Sequence, residues 1–218
     1  MTSTGQAGPV VDQNGRPLGP RALRTRSRLL EATRRLLDER PLRDVAVVDI
    51  ARRAGTSPAT FYQYFKGPEE AILELAARAA DEMPGVLEEL RGLAPGPGAL
   101  PAARAFVRAF IAHWDRHRAV LLVRNLAAES GDRRFARVRR RALGPLLERL
   151  AALTAEGQRS GNVSRHLNPH AGGAALASIV ERLSAYHREL EPTGVSLEDL
   201  VETTARILVQ VATGTPPD

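Results

Sequence analysis

The 218-residue chain contains no cysteine, which excludes disulfides, thiolate metal sites and cysteine nucleophiles. Lysine is nearly absent: of 31 Lys and Arg residues only Lys66 is a lysine. Aromatic residues make up 4% of the chain, as five Phe, three Tyr and one Trp. No stretch approaches the ~18 uninterrupted apolar residues of a membrane span. The N-terminus also lacks the apolar core of a secretion signal, so a cytoplasmic protein is expected. The apolar fraction of 43% is ordinary for a globular protein.

What is present is unevenly placed. Phe61, Tyr62, Tyr64 and Phe65 fall within five residues, directly before Lys66. Residues 1–66 carry 12 basic and 6 acidic side chains, whereas residues 67–218 carry 19 of each. The whole excess of +6 therefore lies in the first third, the part that a polyanion such as DNA would attract. A basic, solvated helix surface accounts for the charge equally well.

Punctuation by proline and glycine organises the chain. Residues 1–20 are rich in both, with few large apolar groups, and read as a flexible tail. Helical spacing of Leu29, Leu30, Thr33, Leu36 and Leu37 predicts a first helix over 22–39, ended by Pro41. A second helix is expected over 47–54, with Ile50, Ala51 and Ala54 as its packing side and Gly55 at its C-terminus. Ser57 as N-cap and Pro58 at the first helical position start a third, over 58–65. A longer helix follows over 68–90, bent or divided at Pro84, and then a Pro- and Gly-rich loop. Further helices are expected near 102–117, 119–129, 133–159, 169–190 and 196–213. No strand is evident, so the class is all-α: a small module over 21–67 and a larger helical domain over 68–218.

Two short helices joined by a Gly-containing turn form a helix-turn-helix pattern, whose second helix enters the major groove of DNA. An αα-hairpin without a ligand shares that outline. In a helix from Pro58, Phe61 and Phe65 share the inner face, and their packing must hold a segment too short to be stable alone. The outer face offers Ala59, Thr60 and Gln63, small or amide groups able to approach base edges. Tyr62 and Tyr64 flank it with hydroxyls suited to phosphates.

Residues 22–75, above all the run from Ile50 to Lys66, closely resemble the DNA-binding domain of the TetR family of bacterial transcriptional regulators. The resemblance implies an all-α homodimer in which each subunit inserts one recognition helix into half of a palindromic double-stranded operator. It also implies a small effector held by the remaining helices, whose binding changes the spacing of the two reading heads, and the role of a repressor; no cofactor is assigned. By resemblance Thr60 and Gln63, with Ala59, are the base-reading candidates; Ser57, Tyr62, Tyr64 and Lys66 are phosphate contacts. One departure is Ala46, where the family commonly has a capping Ser or Thr; its absence costs roughly 1 kcal/mol, offset in part by Asp49 in the first turn.

The larger domain has no motif of comparable strength. Phe106, Phe110 and Trp114 recur every four residues and read first as core. In the family the effector cavity lies inside that core, which adds Leu122, Asn125, Leu147 and Val180 as lining candidates. The order of the C-terminal segments, including Leu167-Asn168-Pro169-His170 and later Glu181-Arg182, more loosely resembles actinobacterial regulators of elongated apolar ligands, which implies a largely apolar effector. Where such tunnels carry polar amides, this chain has Ala177 and Val180, which suggests few hydrogen bonds to it. The family pairs its last two helices with those of a mate, so Leu176, Ile179, Leu183, Leu200, Ile207, Leu208 and Val211 are dimerisation candidates, and the Gly- and Ala-rich stretch 171–177 would permit close approach. An intramolecular core explains the same stripes.

His113 and His117 have the i, i+4 spacing of two zinc ligands, but no third ligand is evident, and no metal is assigned. The arginines from Arg133 to Arg141 read as a solvated helix face. The alternatives are a constitutive DNA-binding regulator without ligand and, further off, an all-helical enzyme, which would have to rely on the two histidines and nearby carboxylates without a nucleophile elbow or phosphate loop.

Overall fold

The computed structural model describes residues 11–13 and 15–214. Among these there are eight α-helices, three short 3-10 turns and no strand. Most of the expected tail, residues 1–10 and 14, lies outside the described residues. The chain forms two compact units that divide after Ala76, inside a helix rather than at the turn before Pro68.

In the first unit, α1 (Pro20–Glu39) buries Leu29, Leu30, Thr33, Leu36 and Leu37, the stripe read from the sequence. The Thr33 hydroxyl, with no water to bond, donates to the Leu29 carbonyl at 2.9 Å. Arg40 then turns extended ahead of Pro41, as the proline ring demands. Helix α2 (Val47–Arg53) starts at Ala46 with no side-chain cap. Gly55 takes a left-handed φ of 64°, a conformation that costs any residue with a Cβ about 1–2 kcal/mol. Helix α3 (Pro58–Tyr62) follows, three residues shorter than expected. Helix α4 (Pro68–Leu87) runs through Pro84 without dividing and ends in a 3-10 turn over Glu88–Gly92.

The second unit is an antiparallel-type assembly of long helices around one core. Helix α5 (Ala99–Glu129) is continuous, where the sequence suggested a break at Arg118. No glycine or proline lies between Pro101 and Ser130 to cause one, and Pro101 sits in the first turn, where its missing N–H needs no partner. At the expected break Arg118 instead donates to the Ala185 carbonyl. Helices α6 (Arg133–Arg159), α7 (Pro169–Leu190) and α8 (Leu197–Thr213) are each N-capped by a side chain, those of Asp132, Asn168 and Ser196. Phe106, Phe110 and Trp114 of α5 pack with Leu146 and Leu150 of α6, Leu176 and Val180 of α7, and Val201 and Leu208 of α8.

Gly173 sets the spacing of α6 and α7: a Cβ there would lie 2.8 Å from the Leu147 carbonyl oxygen and 2.9 Å from the Ala151 nitrogen. The close approach allowed by the small residues of 171–177 is thus made within one chain, to α6.

Candidate functional site

The aromatic cluster divides by burial. Phe61 and Phe65 are 0% and 1% exposed, with ring centroids 5.4 Å apart. Each such ring contributes roughly 1.5–3 kcal/mol by leaving water, so together they hold a five-residue helix that has no stability of its own. The Arg26 guanidinium sits 5.0 Å from the Phe65 ring centroid and is fixed by a bidentate pair with Glu74. Tyr62 meets Phe61 edge-on and is 54% exposed.

The opposite side is open. Ser57, Ala59, Gln63 and Lys66 are exposed, and Thr60 and Tyr64 are half-buried. Ser57 caps α3 by accepting from the Thr60 N–H at 3.2 Å, and its hydroxyl lies 3.0 Å from the Thr60 hydroxyl. Beyond Tyr62 the chain tightens into 3-10-type bonds, Gln63 N–H to the Thr60 carbonyl and Tyr64 N–H to the Phe61 carbonyl, and Phe65 N–H makes an α-type bond to the Phe61 carbonyl at 3.0 Å. That bond puts Phe65 back beneath the helix even though the regular α-helix has ended. Thr60 and Tyr64 also line a 610 Å³ cleft with Arg21, Thr25, Arg28 and Thr56, which sets two guanidinium groups beside the exposed face.

Sequence reasoning missed what fastens the end of α3. The Gln13 backbone N–H donates to the Gln63 carbonyl at 3.2 Å. Its side-chain amide donates to the Tyr64 carbonyl at 3.0 Å and to Glu70 at 3.2 Å. The described part of the expected free tail is therefore bonded to the end of α3.

In the second unit two clefts share a polar wall. The first, 420 Å³, is lined by Trp114, Leu122, Asn125, Leu126, Tyr186 and the charged groups Glu129, Arg139, Glu181 and Arg182. The second, 450 Å³, includes Leu143, Leu147, Ala174 and Ala177 and again Glu129, Arg139, Ser178 and Glu181. Of the effector candidates, Trp114, Leu122, Asn125 and Leu147 reach these clefts. Phe106, Phe110 and Val180, at most 1% exposed, line neither and are packing residues of the core.

The clefts are also less apolar than expected. Glu181, nearly buried, accepts from Arg124 at 3.3 Å and Asn125 at 3.1 Å, and from Arg139 on its other oxygen. Burial pushes the Arg124 guanidinium down to about 10, with the Glu181 charge opposing the shift. Arg139 thus leaves the solvated arginine face to which the sequence assigned it. Ala177 and Val180 do not deprive the region of polar groups, because neighbouring turns of α5, α6 and α7 supply them.

Among the dimerisation candidates, Leu176, Leu200 and Leu208 are buried in the core of a single chain. Their burial follows from the intramolecular packing of α7 and α8 on α5 and α6. Ile179, Leu183, Ile207 and Val211 remain partly exposed. The histidine pair gains the neighbour that spacing could not reveal: Glu82 of α4 lies 2.9 Å from the His117 ring. Burial pulls the Glu82 carboxyl upward, but the His117 and Arg116 contacts outweigh it and leave it below its usual value.

These two constructions, a wedged short helix and a helical unit with polar-walled clefts, can be compared with known proteins. A family model described as the tetracyclin repressor-like C-terminal domain matches residues 92–218, and that of the bacterial regulatory proteins of the tetR family matches residues 29–79. The chain belongs to the TetR family.

The HTH-type transcriptional regulator EthR of Mycobacterium tuberculosis is 39% identical over 62 residues, which span 28% of this chain and 29% of EthR. A putative TetR-family regulator from Rhodococcus aligns over 87% of this chain and 98% of its own, with a TM-score of 0.64 and 19% identity. The Thermus thermophilus repressor FadR, solved with lauroyl-CoA, aligns over 85% and 93% with a TM-score of 0.52 and 24% identity. At these identities the solved structures establish the shared fold. The chain is accordingly a TetR-family transcriptional regulator, and among its described residues no helix is long and apolar enough to cross a membrane.

Proposed function

We propose that this TetR-family regulator is a cytoplasmic homodimeric repressor that binds a palindromic operator and responds to a small effector. The observation that carries the reading is the division of α3: Phe61 and Phe65 buried beneath it, and Ala59, Thr60 and Gln63 left free of charge on the outside. An ordinary surface helix carries charges there, whereas uncharged amide and hydroxyl side chains can meet base edges without being drawn to a phosphate. In this reading Gln63 reads a base edge through its amide. The Thr60 hydroxyl already lies against Ser57, so Thr60 contributes mainly its methyl group, which suits the methyl of thymine, and Ala59 lends close approach. Ser57, Tyr62, Tyr64 and Lys66 hold phosphates, joined by Arg21 and Arg28 across the cleft.

The effector lies in the clefts of the second unit, within the 300–1,000 Å³ usual for small-molecule sites. Trp114, Leu122 and Leu147 suit an apolar body, while Asn125, Arg139 and Glu181 suit a polar end, so an amphipathic molecule fits better than a purely apolar one. The mate contacts Ile179, Leu183, Ile207 and Val211, the exposed remainder of the α7 and α8 stripes.

Selection from a random duplex library tests the DNA reading. Enrichment of an inverted repeat, bound by two subunits, is expected. Binding with no sequence preference, or a protein that stays monomeric at micromolar concentration on the selected duplex, would overturn it.

A further inference from the structure

The cluster formed by Glu82, His113 and His117 has no part in DNA reading or in the effector clefts. His113 and His117 are one helical turn apart on α5, with ring centroids 5.0 Å apart. Glu82 reaches them from α4: one of its oxygens is 2.9 Å from His117 Nε2 and 3.8 Å from His113 Nδ1. One ligand atom from each residue can be chosen so that all three lie within 4.8 Å of one another.

Two features separate this cluster from an ordinary ion pair. His113 is only 2% exposed, and its Nδ1, buried and aimed at Glu82, has no hydrogen-bond partner. Folded proteins rarely leave a buried polar atom unpaired, and those that do are often keeping it for another purpose. The donor set is also chemically coherent: two imidazoles and one carboxylate are the three protein ligands of one class of four-coordinate zinc site, whose fourth position takes water. Metal–ligand bonds of about 2.0–2.2 Å in a tetrahedron place ligand atoms ~3.3 Å apart. The observed 2.9 and 3.8 Å from Glu82 to the two rings bracket that spacing.

We propose that Glu82, His113 and His117 bind a divalent transition cation of the zinc class, through Glu82 Oε, His113 Nδ1 and His117 Nε2. The cation ties α4 to α5 within the second unit. Arg116 is the competitor: it donates to the same Glu82 oxygen at 2.8 Å, but its side chain is 62% exposed and can turn into solvent when the ion enters. Imidazole donors favour zinc, nickel and cobalt over magnesium or calcium.

The test uses the full chain freed of metal by a chelator and titrated with CoCl2 or ZnCl2. One equivalent of Co²⁺ is expected to give the visible absorption of a four-coordinate site, lost on adding Zn²⁺. Zinc at a hundredfold excess over its Kd should raise Tm by about 5–10 °C. Glu82→Gln and His117→Gln should each abolish both responses, while a His166→Gln/His170→Gln control, which removes two exposed histidines elsewhere, should keep them. His113 is left intact in these variants because its burial makes it part of the core. No cobalt spectrum in the wild type, a spectrum that survives Glu82→Gln and His117→Gln, or one that disappears with His166 and His170, would each overturn the proposal. None of these readouts depends on DNA binding.

Discussion

Placing serine at position 46 should stabilise α2, and two residues of the same unit allow the gain to be worked out. Ala46 has φ −95° and ψ 148°; Ser57, the N-cap of α3, has φ −95° and ψ 156°. Both carbonyls accept from the third residue onward, Asp49 N–H and Thr60 N–H, each at 3.0 Å. Ser57 Oγ takes a further share of the Thr60 N–H at 3.2 Å. With the same backbone, an Oγ on residue 46 falls in the same place against Asp49 N–H. Position 46 is exposed, so the hydroxyl loses little hydration, and the Asp49 carboxylate, already paired with Arg40 and Arg52, need not move. The expected gain is ~1 kcal/mol, and Ser57→Ala should lose a similar amount from α3. Trp114 lies in the other unit, so its fluorescence is the wrong reporter. Native-state hydrogen exchange reads α2 directly, and about 1 kcal/mol corresponds to roughly fivefold greater protection. If Ala46→Ser left α2 protection unchanged while Ser57→Ala lowered that of α3, the equivalence of the two caps would be refuted.

Glu181→Ala should destabilise the second unit by about 3–5 kcal/mol, because it leaves the buried Arg124 without its carboxylate; urea unfolding followed at Trp114 measures this, and a loss below ~1 kcal/mol would mean that water reaches Arg124. Lys66→Ala should weaken binding equally on all duplexes and reduce the slope of log K against log salt by ~1 per subunit; an unchanged slope removes Lys66 from the phosphate contacts. Gln63→Ala should relax preference at one position of each half-site at a cost of ~1–3 kcal/mol, whereas uniform weakening across sequences would make Gln63 a backbone contact.

What could be read from the sequence was whatever is encoded locally. Pro41, Gly55 and the pair Ser57 and Pro58 act through the backbone of their own segment, so the bounds of α1 to α3 were legible to within a few residues. The inner position of Phe61 and Phe65 followed from their spacing of four. The break expected at Arg118 failed because no residue there interrupts a helix; α5 runs on through it, and Arg118 is held by the Ala185 carbonyl of α7. The stripes of α7 and α8 showed which faces are apolar but not what covers them, and Leu176, Leu200 and Leu208 turned out to be covered by their own chain. Glu82 and Glu181 were out of reach for the same reason. Each meets its partners across a helix–helix contact, at separations of 31 to 57 residues, where no periodicity carries a signal.

The bonds from Gln13 change how the first unit should be handled at the bench. The last carbonyls of a helix need donors, and here the backbone and side-chain amides of one glutamine supply them to Gln63 and Tyr64 from fifty residues away. A fragment trimmed to start at α1, as the helical pattern invites, would keep every helix of the reading head and still lose the clasp at its far end. Operator affinities measured on such fragments would then describe a looser α3 than the one the intact chain holds.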